Sequence, residues 1–126
     1  MAQYRVIRNM ATGVVVLPHA QLRTNFFGHS RGLMFYTSLR ETDGLLFVYG
    51  SESVLLTAIG MLFMFFPIAV VWLDKDGVVV DKVLAKLWRL SYTPRKPARY
   101  FIEARPSLLD RVKVGDRLVF DQPVSL

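Results

Sequence analysis

The sequence predicts a small, single-domain, mainly β fold with one or two short helices. Three observations point there. The chain is 126 residues long, the size of one domain with one hydrophobic core. It carries short runs rich in Val, Ile, Leu and Phe, separated by Gly, Pro, Asn and Asp turn signals. It has no cysteine, so stability must come from packing and not from disulfides.

Taken in order, Tyr4 to Arg8 reads as a first strand, Asn9 to Gly13 as a turn and Val14 to Leu17 as the return strand of a hairpin that Pro18 ends. Asn25 is a helix cap, and Phe26, Phe27, Ser30, Leu33 and Met34 share a helical face that stops near Gly32. A polar loop from Thr37 to Asp43 leads to the apolar run Leu45 to Tyr49. Asp74 to Gly77 is a hairpin turn feeding a strand over Val78 to Ala85, where Asp81 and Lys82 mark exposure. Leu87 to Pro97 reads as irregular, because Pro94 and Pro97 cannot take part in regular pairing. Ala98 to Ala104 alternates as a strand, Ser107 caps a helical turn toward Val112, and Arg117 to Phe120 is the last strand.

Between these elements lies the stretch VLLTAIGMLFMFFPIAVVWL, Val54 to Leu73, without a single charge. Its length is that of a membrane-spanning helix. Pro67, Gly60 and the β-branched Ile68, Val70 and Val71 suit two buried strands split near Pro67 equally well. A strand buried on both faces loses its alternation, so composition and periodicity leave both readings open.

Charge and chemistry narrow the function classes. The formal charge is +6 and the sequence pI about 10.0, which favours acidic partners. Asp74, Asp76, Asp81, Glu103, Asp110 and Asp116 are interspersed among the Lys and Arg residues of the second half, however. A solvated mixed-charge surface is therefore favoured over a nucleic-acid or polyanion footprint. Without cysteine there is no thiolate zinc site and no thiol nucleophile. Asp74-Lys75-Asp76-Gly77 opens like a calcium loop, but Val78 and Val80 stand where oxygen ligands are needed, so a plain turn is expected. His29 beside Ser30 and Arg31 fits no nucleophile arrangement, and Gly28 and Gly32 bracket a helix instead of opening a phosphate loop. No catalytic residue, metal or cofactor is assigned. The N-terminus to Asn9 has no signal-peptide-like apolar run, so the expected setting is intracellular, in the cytoplasm.

One segment mixes the right groups for binding. Lys86, Trp88, Arg89, Tyr92, Arg95, Lys96, Arg99 and Tyr100 interleave cations with aromatic rings. Such a mixture stacks on bases or sugars while pairing with phosphates. The ligand-binding candidates are Trp88, Arg89, Arg95, Arg99 and Tyr100. Against this stands a structural reading, in which the rings plug the core edge while the arginines cap carbonyls or pair with carboxylates.

Ordered motifs across nearly the whole chain add a resemblance. Ser30-Arg31-Gly32-Leu33-Met34-Phe35, then Ser38-Leu39, then Asp43-Gly44-Leu45-Leu46-Phe47 resemble the arginine-glycine-leucine-methionine signature and following strand entry of the domain of unknown function 192 family. Phe66-Pro67-Ile68, Val70-Val71-Trp72-Leu73-Asp74, Asp76-Gly77-Val78-Val79, Trp88-Arg89, Ala98-Arg99-Tyr100 and Lys113-Val114-Gly115-Asp116-Arg117 look like its remaining blocks in order. The resemblance implies a soluble β-sandwich or barrel-like domain with no characterised activity, and it decides the apolar middle in favour of strands. A departure accompanies it. Where members of this branch tend to carry a histidine, an arginine and an aspartate around the Phe-Pro-Ile block, this chain has Gly60, Phe65 and Ala69. A family site built on those polar groups would be absent or altered here; the bland alternative is a polar structural cluster replaced by packing.

The leading expectation is a non-enzymatic binding or interaction domain whose apolar middle forms core and a candidate homodimer face. The alternatives are a small-ligand pocket, for a carbohydrate or phosphate-bearing ligand with or without catalysis, and membrane association through residues 54–73.

Overall fold

The computed structural model describes residues 3–23, 39–54, 59–60, 65–87 and 91–122, with backbone alone at 59, 60 and 91. Nine strands and one 3-10 helix occur among them: β1 Gln3–Asn9, β2 Val15–Arg23, β3 Asp43–Ser53, β4 Ile59–Gly60, β5 Ile68–Leu73, β6 Val79–Ala85, β7 Ser91–Tyr92, β8 Ala98–Ala104, the helix Pro106–Asp110 and β9 Leu118–Asp121. Seven strands form one sheet in the order β6-β5-β8-β3-β2-β1-β9, and β4 pairs with β7 separately. The large sheet curls into a half-barrel. The mainly β fold expected from the sequence is thus the fold observed. The helix expected over residues 26–34 lies outside the described residues.

The curl brings the two edge strands together at one end. Val78 bridges Arg117, the Val79 N–H donates to the Asp116 carbonyl at 2.8 Å, and the Leu118 N–H donates to the Gly77 carbonyl at 2.9 Å. Gly77 is required at this seam. Its φ is +81°, and a Cβ there would lie 2.7 Å from the Leu118 carbonyl oxygen. Asp74 builds the turn before it, its carboxylate accepting the N–H groups of Asp76 and Val78 at 2.9 and 3.0 Å. Away from the seam β6 and β9 are not paired with each other, and Lys82 links β6 to the 3-10 segment. Its Nζ donates to the carbonyls of Leu109 and Val112 at 2.7 and 2.9 Å. Lys82 is therefore half-buried and engaged, not the exposure marker its charge suggested.

Strand β5 explains the uncharged run. All six residues Ile68–Leu73 are buried. Ala69, Val71 and Leu73 face the inner cluster with Ile7, Leu46 and Ile102, while Ile68, Val70 and Trp72 face the outer one with Phe47, Tyr92 and Phe101. Both faces demand apolar side chains, so the alternation that marks a half-exposed strand is gone. Burial of each large side chain contributes roughly 1.5–3 kcal/mol. A single helix over Val54 to Leu73 is excluded by β5 itself, and among the described residues no helix is long and apolar enough to cross a membrane.

Three further expectations are corrected. Pro18 does not end the second strand: β2 runs through it to Arg23, and the register shift between Arg5 and Ile7 on β1 accommodates a residue that cannot donate to the ladder. Residues Leu87 to Pro97 are not wholly irregular: Ser91–Tyr92 pairs with Ile59–Gly60 upstream of Pro94, where an N–H is still available for a ladder. Ser107 does not cap the helical turn, since it lies inside the 3-10 helix behind Pro106, and Arg105 at the cap makes no side-chain bond there.

Small residues line one row of the inner face. Gly44 pairs with Ala20 and with Ala104, which in turn pairs with Ala69. A Cβ on Gly44 would meet Leu17 Cδ2 at 2.6 Å and the Glu103 carbonyl oxygen at 2.8 Å. The side chain could move aside; the strand backbone cannot. Gly44→Ala should lower the urea midpoint, with a loss of about 1–3 kcal/mol; an unchanged midpoint would show that β3 and β8 can separate locally.

Candidate functional site

The 91–100 segment is fastened at several points. The Lys86 N–H donates to the Tyr92 hydroxyl at 2.7 Å, and the Arg95 N–H donates to Asp81 Oδ2 at 3.0 Å. The Arg95 side chain is nonetheless 88 % exposed, its Nε 4.0 Å from Asp81 Oδ1. Lys96 is exposed beside it. The segment thus presents cations from a backbone that is held in place.

Arg99 and Tyr100 are tied into the sheet. The ladder between β3 and β8 is interrupted after Val48–Tyr100 and resumes at Ser53–Ala98. Arg99 Nε donates to the Tyr49 carbonyl at 2.9 Å, within that interruption. The guanidinium thus ties β8 to the β3 backbone where the ladder register shifts. The Arg99 guanidinium also lies 5.6 Å from the Tyr100 ring centroid, and Tyr100 meets Phe120 edge-to-face at 5.2 Å on the inner cluster. Trp88 and Arg89 lie outside the described residues. Of the five candidates, then, Arg95 is offered to solvent, while Arg99 and Tyr100 contribute to the sheet.

The three positions at which the resemblance suggested altered polar groups fall in different surroundings. Gly60 is in β4, opposite Ser91. Phe65 sits in the bend before Pro67 and is 57 % exposed. Ala69 is wholly buried in β5, paired with Leu84 and Ala104. A carboxylate at position 69 would enter the inner apolar cluster, where desolvation opposes charge. Ala69→Asp should destabilise the chain by more than about 3 kcal/mol by chemical denaturation; a change below about 1 kcal/mol would reveal a polar partner for position 69.

Two polar groupings escaped the sequence reading, because their members are far apart in the chain. On the outer face Glu103 is 5 % exposed and is flanked across the ladders by Leu45 and Val70. Burial, and secondarily the Glu103 charge, holds the Tyr49 phenol above its ordinary pKa. At the far end of β8 from residue 98, Glu41 accepts from Arg105 Nε at 2.7 Å and from the Ser107 hydroxyl. Arg111 Nη2 donates to Ser107 Oγ at 2.8 Å and stands 3.6 Å from Glu41 Oε2. The Ser107 hydrogen bond, with the two guanidinium charges, draws the Glu41 carboxyl below the usual glutamate range. At the start of β3, Asp43 holds His19 Nδ1 at 3.0 Å, and Tyr4 stacks on that imidazole with ring centroids 4.1 Å apart. Among the described residues no group of three or more His, Asp or Glu side chains could hold a metal ion.

Comparison with known proteins places the architecture. A structure from Sinorhizobium meliloti, described as a candidate transcription regulator, superposes with a TM-score of 0.76 over 94 % of this chain and 92 % of its own, at 22 % identity. A protein of unknown function from Novosphingobium aromaticivorans superposes with a TM-score of 0.74 over 94 % of this chain and 84 % of its own, at 17 % identity. At these identities the likeness speaks to the fold alone. The chain is thus a half-barrel β protein of a recurrent kind. It belongs to the domain of unknown function 192 family, described as "Uncharacterized ACR", whose profile matches residues 8–120. A UPF0127 protein of Thermococcus gammatolerans is 37 % identical over 118 residues, covering 92 % of this chain and 75 % of that protein. The family description names no activity.

Proposed function

We propose that this chain is a non-enzymatic binding domain that takes a phosphate-bearing partner on the 91–100 segment. The observation that carries this reading is the Arg95 side chain, 88 % exposed on a loop whose backbone is anchored to Asp81. Lys96 adds a second exposed cation. Anchored donors lose little freedom on binding. The description of the Sinorhizobium meliloti structure makes an oligonucleotide the natural first probe. Titration of a fluorescent single-stranded oligonucleotide should show binding that weakens steeply with salt. Arg95→Ala should weaken it about three- to tenfold and reduce the salt slope by about one. Absence of binding at low salt would remove this reading.

A second reading, pairing of two copies, is favoured by apolar exposure next to β5 and β6. Phe65 precedes β5, Leu87 follows β6, and the two are 57 % and 42 % exposed. Light scattering across a concentration series should give a mass rising toward twice that of the chain, and Phe65→Ser should suppress the rise; a constant monomer mass would exclude it.

A further inference from the structure

The corner formed by residues 39–43, the end of β8 and the 3-10 helix holds two guanidiniums and a hydroxyl gathered around one carboxylate. We propose that Arg105, Ser107 and Arg111 form a cradle for a phosphate group, and that the chain's own Glu41 occupies it until phosphate displaces that side chain.

Charge is the first argument. Arg105 and Arg111 together face a single negative charge on Glu41, leaving one positive charge in excess. A phosphate monoester carries about −1.5 to −2 at neutral pH and offsets both cations more fully. Asp43, two residues beyond Glu41, is engaged with the His19 ring at 3.0 Å. Guanidinium forks match phosphate oxygens with parallel N–H bonds, and the Ser107 hydroxyl adds a further donor.

Preorganisation is the second. Each arginine also has a backbone acceptor of its own besides Glu41. Arg111 Nη1 donates to the Val16 carbonyl at 2.6 Å, and Arg105 Nη1 donates to the Leu39 carbonyl at 3.3 Å. Ser107 is fixed within the helix. The donors would remain in place after Glu41 left, so an incoming anion need not order them.

Ease of displacement is the third. Glu41 lies in a turn and its side chain is 54 % exposed. Exposed ion pairs contribute little net stability, so exchanging this one for another anion is inexpensive. The cradle is also a separate feature from the 91–100 segment: β8 runs from Ala98 to Ala104 between them, roughly 20 Å of strand.

The test is a titration of the ¹⁵N-labelled full chain with inorganic phosphate at constant ionic strength, against chloride, following backbone amide shifts. Saturable shifts centred on Glu41, Ser107 and Arg111 are expected. Glu41→Gln should bind phosphate about three- to tenfold more tightly, because the internal competitor is neutral, while Arg105→Gln should weaken binding by a similar factor. Should Arg105→Gln not give a dispersed, folded spectrum, Ser107→Ala serves in its place and should also weaken binding. Methyl phosphate run in parallel distinguishes a free oxyanion from a phosphomonoester as ligand: the first binds inorganic phosphate more tightly, the second binds the ester at least as well, and either supports the cradle. Unchanged or weaker phosphate affinity in Glu41→Gln, or shifts no different from those of chloride, would overturn it.

Discussion

Burial of β5 on both faces is the constraint from which the remaining structure follows. Ile68, Val70 and Trp72 need cover on one side, and Ala69, Val71 and Leu73 on the other. A flat sheet of this size would leave its inner face wet. Curling it shortens the distance between the edge strands, lets Gly77–Val79 meet Gly115–Leu118, and closes the inner cluster with Leu108 and Val112. The row of small residues at Gly44, Ala69 and Ala104 belongs to the same packing, and at Gly44 the backbone and Leu17 already occupy the space that a Cβ would need. The Stacked Phe47 and Phe101 rings, 4.3 Å apart, perform the corresponding task outside.

Where the ladders stop, charged side chains take over their hydrogen bonding. Arg99 serves the Tyr49 carbonyl, Lys82 the carbonyls at the end of the 3-10 segment, and Arg111 the Val16 carbonyl. Buried Asn9 joins two turns through Asp116 at 2.9 Å. Part of the basic character of this chain is therefore structural. Among the described residues, two places set cations in a fixed frame: the anchored loop carrying Arg95, and the corner in which Arg105 and Arg111 hold Glu41. Net charge alone draws no such distinction.

Membership of a family whose description names no activity transfers an architecture. Within that architecture Ala69 completes an apolar cluster, and a charge placed there would need a partner that the described neighbours Leu84 and Ala104 cannot supply.

The sequence by itself determined the local elements. The alternating Ala98–Ala104 strand, the Asp74–Gly77 turn and the turn of the first hairpin were legible because pleat period and turn chemistry act over neighbouring residues, whereas the run of β2 through Pro18 to Arg23 was not. Ordered motifs also settled strands over helix in the apolar middle, which composition could not. Only tertiary structure decided how those elements meet: the parallel pairing of β2 with β3, the β4–β7 pair, the engagement of Lys82, and the grouping of Glu41 with Arg105, Ser107 and Arg111. These depend on contacts between residues far apart in the chain, and no periodicity records such contacts. Glu41 and Ser107 are separated by 66 positions, and the antiparallel pairing of β3 with β8, with Gly44 opposite Ala104, is what makes them neighbours.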